Sequence, residues 1–197
     1  MIILFGMAGS GKGTQGKALS EIFGWRWLSN GELIRQSGKY DETINRGELI
    51  PDDDVNQMMS EAIKKAEAEG FDVVLDGYPR DKAQADYVAE HFAEKIDGAI
   101  ILEVPKEELF ERLALRGRDD DKSRESIENR FNVFEQNLLP ILSALESKNI
   151  PVERINGVGA IEEVTARLVP IVKKFNPNAT EQKDDVNGEE IEKSYGE

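Results

Sequence analysis

The opening of the chain constrains its fold more than any other stretch. Met1 to Phe5 is an unbroken apolar run, and it feeds directly into Gly6-Met-Ala-Gly-Ser-Gly-Lys-Gly-Thr-Gln15. A buried strand, a glycine-rich turn and a helix in that order make a phosphate-binding loop. Glycine at 6, 9, 11 and 13 lets the backbone curl and turn successive N–H groups inward on an anion. The helix starting near Lys12 adds the positive end of its dipole, and the Lys12 ammonium reaches the terminal phosphates. Gly6 and Gly11-Lys12 satisfy the Gly-x-x-x-x-Gly-Lys spacing, whereas Gly13 stands where Ser or Thr is usual and Thr14 brings the hydroxyl one place later. The rest of the chain is therefore read as machinery around a nucleoside triphosphate.

Downstream, short apolar runs alternate with amphipathic stretches. Strands are expected at Trp25 to Leu28, Phe71 to Leu75, Ala99 to Val104 and Ile150 to Ile155. Helices are expected from Lys12, from Ser29 with Glu32 in a capping box, and from the acids Asp52 to Asp54. Further helices are expected from Ala85 to Ile96, after Pro105, after Ser123 and over Ile161 to Phe175. Such alternation predicts an α/β fold, a parallel sheet covered by helices on both faces. Ligands in these sheets bind at the carboxyl ends of the strands, where the glycine-rich loop, Asp76 and the turn Asn156-Gly-Val-Gly159 all fall. Gly38 to Pro51 is polar and weakly periodic, an excursion from the core. The single histidine, His91, lies between charged neighbours and reads as a surface residue. Residues 176–197 hold seven acids and two lysines with few large apolar side chains, the pattern of a disordered acidic tail.

Composition removes several function classes. With 25 Lys and Arg against 39 Asp and Glu, the net charge of −14 repels nucleic acids and anionic membranes. Cysteine is absent, so disulfides, thiolate catalysis and cysteine zinc sites are excluded. No apolar run approaches a membrane span, and no secretory signal pattern opens the chain, so a cytoplasmic protein is expected.

A triphosphate site alone serves a switch, a motor or a kinase, and the arginines distinguish them. Arg35, Arg80, Arg112, Arg116, Arg118 and Arg130 all fall at helix ends or loops near the carboxyl edge of the sheet. Two phosphate-bearing substrates repel each other, and a transferring phosphoryl group spreads its charge. Phosphoryl transfer therefore needs such a cluster more than hydrolysis of one nucleotide does.

Five stretches in order carry a resemblance. They are Gly6 to Gln15, Leu28-Ser-Asn-Gly-Glu-Leu-Ile-Arg35, Asp76-Gly-Tyr-Pro-Arg80, Arg112-x-x-x-Arg116-Gly and Arg118-Asp-Asp. Together they resemble the nucleoside monophosphate kinases, most closely the adenylate kinases, over residues 1 to about 175. The resemblance implies a P-loop three-layer sandwich with a five-stranded parallel sheet and helices on both faces. It implies a single domain, 1–175, with a core of 1–29, 52–116 and 126–175, a monophosphate-binding excursion at 30–51 and a short lid at 117–125, followed by the tail. It further implies transfer of the ATP γ-phosphoryl group to AMP, giving two ADP, with Mg²⁺ and without structural zinc.

By position, Gly9, Ser10, Gly11, Lys12, Gly13, Thr14, Arg112 and Gly159 would bind ATP. Asn30, Arg35, Glu48, Leu49, Ile50, Gly77, Arg80 and Gln84 would bind AMP. Lys12, Arg80, Arg116, Arg118 and Arg130 would be catalytic, and Asp76 with Thr14 would orient the metal ion through water. Gln84 is the residue that implies adenine as the acceptor base. Asn30 stands where adenylate kinases usually carry threonine, and Ala8 where the loop usually has proline. Only Gly117 separates Arg116 from Arg118, so the lid is expected either to leak ATP hydrolysis or to borrow cover from a second subunit. A UMP/CMP kinase and a non-catalytic nucleotide-binding module on the same scaffold are the alternatives. Monomer and homo-oligomer both stay open.

Overall fold

Why Met1 to Phe5 has no polar position is evident from the computed structural model, which describes residues 1–182. Strand β1 (Ile2–Phe5) runs through the middle of a five-stranded parallel sheet. Its other members are β2 (Arg26–Ser29), β3 (Val73–Asp76), β4 (Gly98–Glu103) and β5 (Val152–Asn156), in the order β2-β3-β1-β4-β5. Successive side chains of a strand point to opposite faces, and here both faces are covered. Ile3, Phe5, Val73 and Leu75 pack on one side with Val55, Met59 and Ile63 of α4 (Asp52–Ala68), Val88 of α5 (Lys82–His91), and Ile141 and Leu145 of α7 (Arg124–Glu146). Ile2, Leu4, Val74 and Ile100 pack on the other with Leu19 and Phe23 of α1 (Lys12–Phe23), and Val164, Leu168 and Val172 of α8 (Ile161–Phe175). A third, smaller cluster joins Leu109 and Leu113 of α6 (Lys106–Arg116) to Ile127 and Phe131 of α7.

The expected α/β architecture is present, with local shifts. β2 starts one residue late because the Trp25 N–H still donates to Ser20 O at the end of α1. α5 stops at His91 rather than Ile96: Phe92 turns out of the helix to bury its ring, and a short 3-10 turn, Ala93–Lys95, follows. His91 is exposed, as expected, and its ring stacks on Tyr87 with centroids 4.2 Å apart. Ser123 does cap α7, accepting from Ser126 N, and Pro140 sits inside that helix without ending it. Residues 176–182, the described part of the stretch expected as a tail, lie against the body of the protein. Ala179 packs on the α1/α8 face and Gln182 N donates to Ile22 O at 2.7 Å, so the chain runs back along α1 after Asn176. Residues 183–197 lie outside the described residues.

Between β2 and α4 the chain leaves the sheet through α2 (Asn30–Ser37) and α3 (Asp41–Asn45). Among the described residues no helix is long and apolar enough to cross a membrane. All five strands point their carboxyl ends to the same edge, where the loops after β1, β3 and β5 meet. The loop after β3 is anchored from below: Tyr78 is fully buried, and its hydroxyl donates to Asn56 Oδ1 of α4 at 2.6 Å. Tyr78→Phe leaves that buried oxygen without a donor. It should lower unfolding stability by about 1–3 kcal/mol, read from urea denaturation.

Candidate active site

The loop after β1 has the backbone its glycines allow. Gly6 and Gly11 have φ of 150° and 96°, and a Cβ on Gly6 would stand 2.5 Å from Ser10 Oγ and 2.8 Å from Leu102 O. Lys12 folds back over this loop, its Nζ donating to Gly6 O at 2.6 Å and Met7 O at 2.9 Å. Burial, reinforced by Arg80, Arg116 and Arg130, lowers its pKa to about 8 against the opposing pull of Asp76.

The loop forms one wall of a cleft of about 980 Å³ along the carboxyl edge of the sheet. Arg35 of α2 and Arg80 stand on one side. Arg80 Nε donates to Gly77 O at 3.0 Å, and Asn30 Nδ2 donates to the same carbonyl at 3.1 Å. Burial, followed by neighbouring arginines, lowers the pKa of both guanidinium groups below the usual arginine value. Two buried carboxylates, Asp120 and Asp121, organise Arg116 and Arg130. Asp121 takes both Nε and Nη2 of Arg116, at 2.6 and 2.7 Å, and also accepts from Arg130 Nη2 at 2.8 Å. Arg130 is further held by Asp120 through its carboxylate at 2.9 Å and its carbonyl at 2.6 Å. Burial alone would raise the Asp121 pKa, but the two arginines hold it below the usual carboxylate range.

The segment with α2 and α3 touches this cluster. Helix α3 rests on the 3-10 turn Asp119–Asp121, and Asn129 Nδ2 of α7 donates to Arg46 O at 3.1 Å and Gly47 O at 3.2 Å. The approach needs a glycine: Gly47 has φ of 70°, and a Cβ there would lie 2.5 Å from Ser126 O. Part of the cover over the cleft is thus supplied within the chain. At the far end, Arg112 spans from Glu108 to Gly157 O, which it meets at 3.1 Å, and Gln15 bonds Ile161 O and Thr165 Oγ1 to tie α1 to α8.

A sequence model of the adenylate kinase family matches residues 4–150. The chain is 35% identical over 189 residues to the adenylate kinase of Porphyromonas gingivalis, covering 88% of this chain and 96% of that protein. It is 35% identical over 187 residues to the adenylate kinase of Micrococcus luteus, covering 87% and 89%. Against that of Thermus thermophilus it is 30% identical over 182 residues, covering 85% and 94%. The chain belongs to the adenylate kinase family. It is a nucleoside monophosphate kinase, and nothing in these likenesses favours a pyrimidine kinase or a non-catalytic module.

Of the residues singled out in the sequence for this family, nearly all line the one cleft. Gly9 to Thr14, Arg112 and Gly159 are in its lining, as are Arg35, Glu48, Leu49, Ile50, Gly77 and Arg80, and Asp76, Arg116, Arg118 and Arg130. Two are not in its wall. Asn30 is fully buried behind Gly77, and Gln84, 1% exposed, has both ends of its amide bonded inside the protein. Sequence reading passed over Asp120 and Asp121, whose only signal was an acidic run directly after Arg118, and Asn129, which carried none.

Asp76 meets the requirements of a Mg²⁺–nucleotide site. It is buried at the end of β3, its carboxylate makes no hydrogen bond or ion pair among the described residues, and its Oδ2 is 3.5 Å from where a Gly13 Cβ would stand. Among those residues no group of three or more acids or histidines could cage a metal ion alone, which suits a cation held largely by phosphate oxygens.

A bound triphosphate favours protonated Lys12, whereas the free protein releases that proton with a midpoint of about 8. Binding therefore takes up a proton above that pH. ATP affinity, measured by calorimetry, should fall by about tenfold per pH unit above the midpoint, and Lys12→Met should abolish the dependence.

Proposed function

We propose that the loop side of the cleft holds ATP, the Arg35 and Arg80 side holds AMP, and the γ-phosphoryl group passes between them to give two ADP. What supports this reading is the gathering in one cleft of Lys12 with its glycine loop, of Arg35 and Arg80, and of Arg116 and Arg130 held by Asp120 and Asp121. A protein that only bound one nucleotide would need one such set.

Lys12 and the backbone N–H groups of Gly9 to Thr14 hold the β- and γ-phosphates. Arg35 and Arg80 fix the acceptor phosphate, whose oxygens are already ionised near neutral pH, so no general base is needed. Arg116, Arg118 and Arg130 take up charge on the transferring group, and Arg112 lies against the donor base. Asp76 and Thr14 would hold Mg²⁺ through water, and the ion, when bound, neutralises phosphate charge. Asn30 acts from behind, sharing the Gly77 carbonyl with Arg80. Catalysis is then positioning and preorganised electrostatics. Segment 30–51 serves as the acceptor arm and 117–125 as the lid.

Coupled-assay rates with AMP, UMP, CMP and GMP test the acceptor. AMP should be preferred by about 100-fold or more in kcat/KM, and a pyrimidine preference would overturn the assignment. Arg116→Ala should lower kcat by about 10³-fold, with substrate KM values changed much less.

A further inference from the structure

Both ends of the Gln84 amide are bonded inside the protein, and the way it is held assigns a role to a further residue. Its Oε1 accepts from the backbone N–H of Arg80 at 2.9 Å, and its Nε2 donates to Asp52 Oδ1 at 2.9 Å. The Arg80 N–H can face only an oxygen and the Asp52 carboxylate can only accept, so the amide has a single orientation. Its backbone is fixed too, since Gln84 N donates to Asp81 Oδ1, the cap of α5.

Asp52 is the first residue of α4, separated only by Pro51 from Glu48, Leu49 and Ile50, which line the cleft. Arg80 lines the phosphate side of the same half. The hydrogen-bonded chain from Asp52 through Gln84 to Arg80 therefore joins the two parts that meet an acceptor nucleotide. It crosses 32 residues of sequence at the Asp52–Gln84 bond. Asp81 and Tyr78 are titratable groups facing Asp52: burial followed by the Asp52 carboxylate raises the pKa of Asp81, and burial followed by neighbouring charges, Asp52 among them, raises that of Tyr78.

We propose that Asp52 is a positioning residue of the acceptor half. Through Gln84 it sets the place of the Glu48–Ile50 wall relative to Arg80, and so how tightly the acceptor is held. This rests on the reading that the Arg35 and Arg80 side takes the nucleoside monophosphate. The donor side shares no hydrogen bond with this chain of contacts, so its affinity should not follow.

Steady-state kinetics with ATP and AMP, alongside thermal melting, test the inference. Asp52→Ala should raise the AMP KM about tenfold while kcat and the ATP KM stay within about twofold. Asp52→Asn keeps an acceptor for Gln84 and offers Asp81 an N–H, so it should return the AMP KM to within about threefold of the unmodified protein. Asp52→Ser still suits a helix start but is too short to reach Gln84. It should behave as Asp52→Ala does, which covers the case in which the alanine variant does not fold. Adding Asp52→Ala to Gln84→Ala should raise the AMP KM no further, because the two act in one chain.

An Asp52→Ala or Asp52→Ser protein with an unchanged AMP KM, or with equal losses for ATP and AMP, overturns the role. So does a lowered melting temperature with no change in AMP KM, the signature of a purely structural contact. If the unmodified protein phosphorylates no nucleoside monophosphate, the functional reading fails first and the role of Asp52 falls with it. AMP turnover by the unmodified protein with no selective effect at Asp52 removes only the latter.

Discussion

Guanidinium groups gathered for one phosphoryl group repel one another whenever the phosphate is away, and that repulsion is the main cost of this site. Two such charges about 5 Å apart oppose each other by about 3 kcal/mol at the effective dielectric of a protein surface. The same field reaches Lys12, Arg35 and Arg80, whose proton affinities are all lowered, with burial the larger cause. What offsets it is local. Asp121, its side chain 2% exposed, bridges Arg116 and Arg130, and Asp120 closes the set with its carboxylate and its carbonyl. The net charge of −14 over the whole chain does little for this cluster, because screening confines surface charges to about 8–10 Å. The buried contacts of Leu109, Leu113, Ile127 and Phe131 then hold the two helices that carry these arginines.

Legibility in the sequence followed the range of the interaction. β1 and its loop could be read because apolar run, glycines and lysine are contiguous, and both faces of β1 are in fact covered. The Ser29 and Ser123 caps could be read because a cap acts three residues on. The arginines could be placed at the carboxyl edge because a parallel sheet sends every strand end there. The partners of those side chains could not. Asp52 reaches Gln84, and Asn129 reaches Arg46, 83 residues away, by contacts that only the folded chain brings together. Gln84 shows the difference best: its type and its place after Arg80 could be read, but not that its amide bonds Asp52 and the Arg80 N–H. The return of the chain to α1 was hidden for the same reason, since the backbone hydrogen bond from Gln182 to Ile22 joins residues 160 apart in sequence.

Where α3 meets α7, two stretches far apart in sequence share one contact. Helix α3 rests on the 119–121 turn, and Asn129 is bonded to the carbonyls of Arg46 and Gly47. The absent side chain of Gly47 is what lets the backbones come this close, since a Cβ there would meet Ser126 O at 2.5 Å. Neither stretch can withdraw alone: parting them gives up both Asn129 hydrogen bonds at once, so the two behave as one mechanical piece although 83 residues separate the bonded partners.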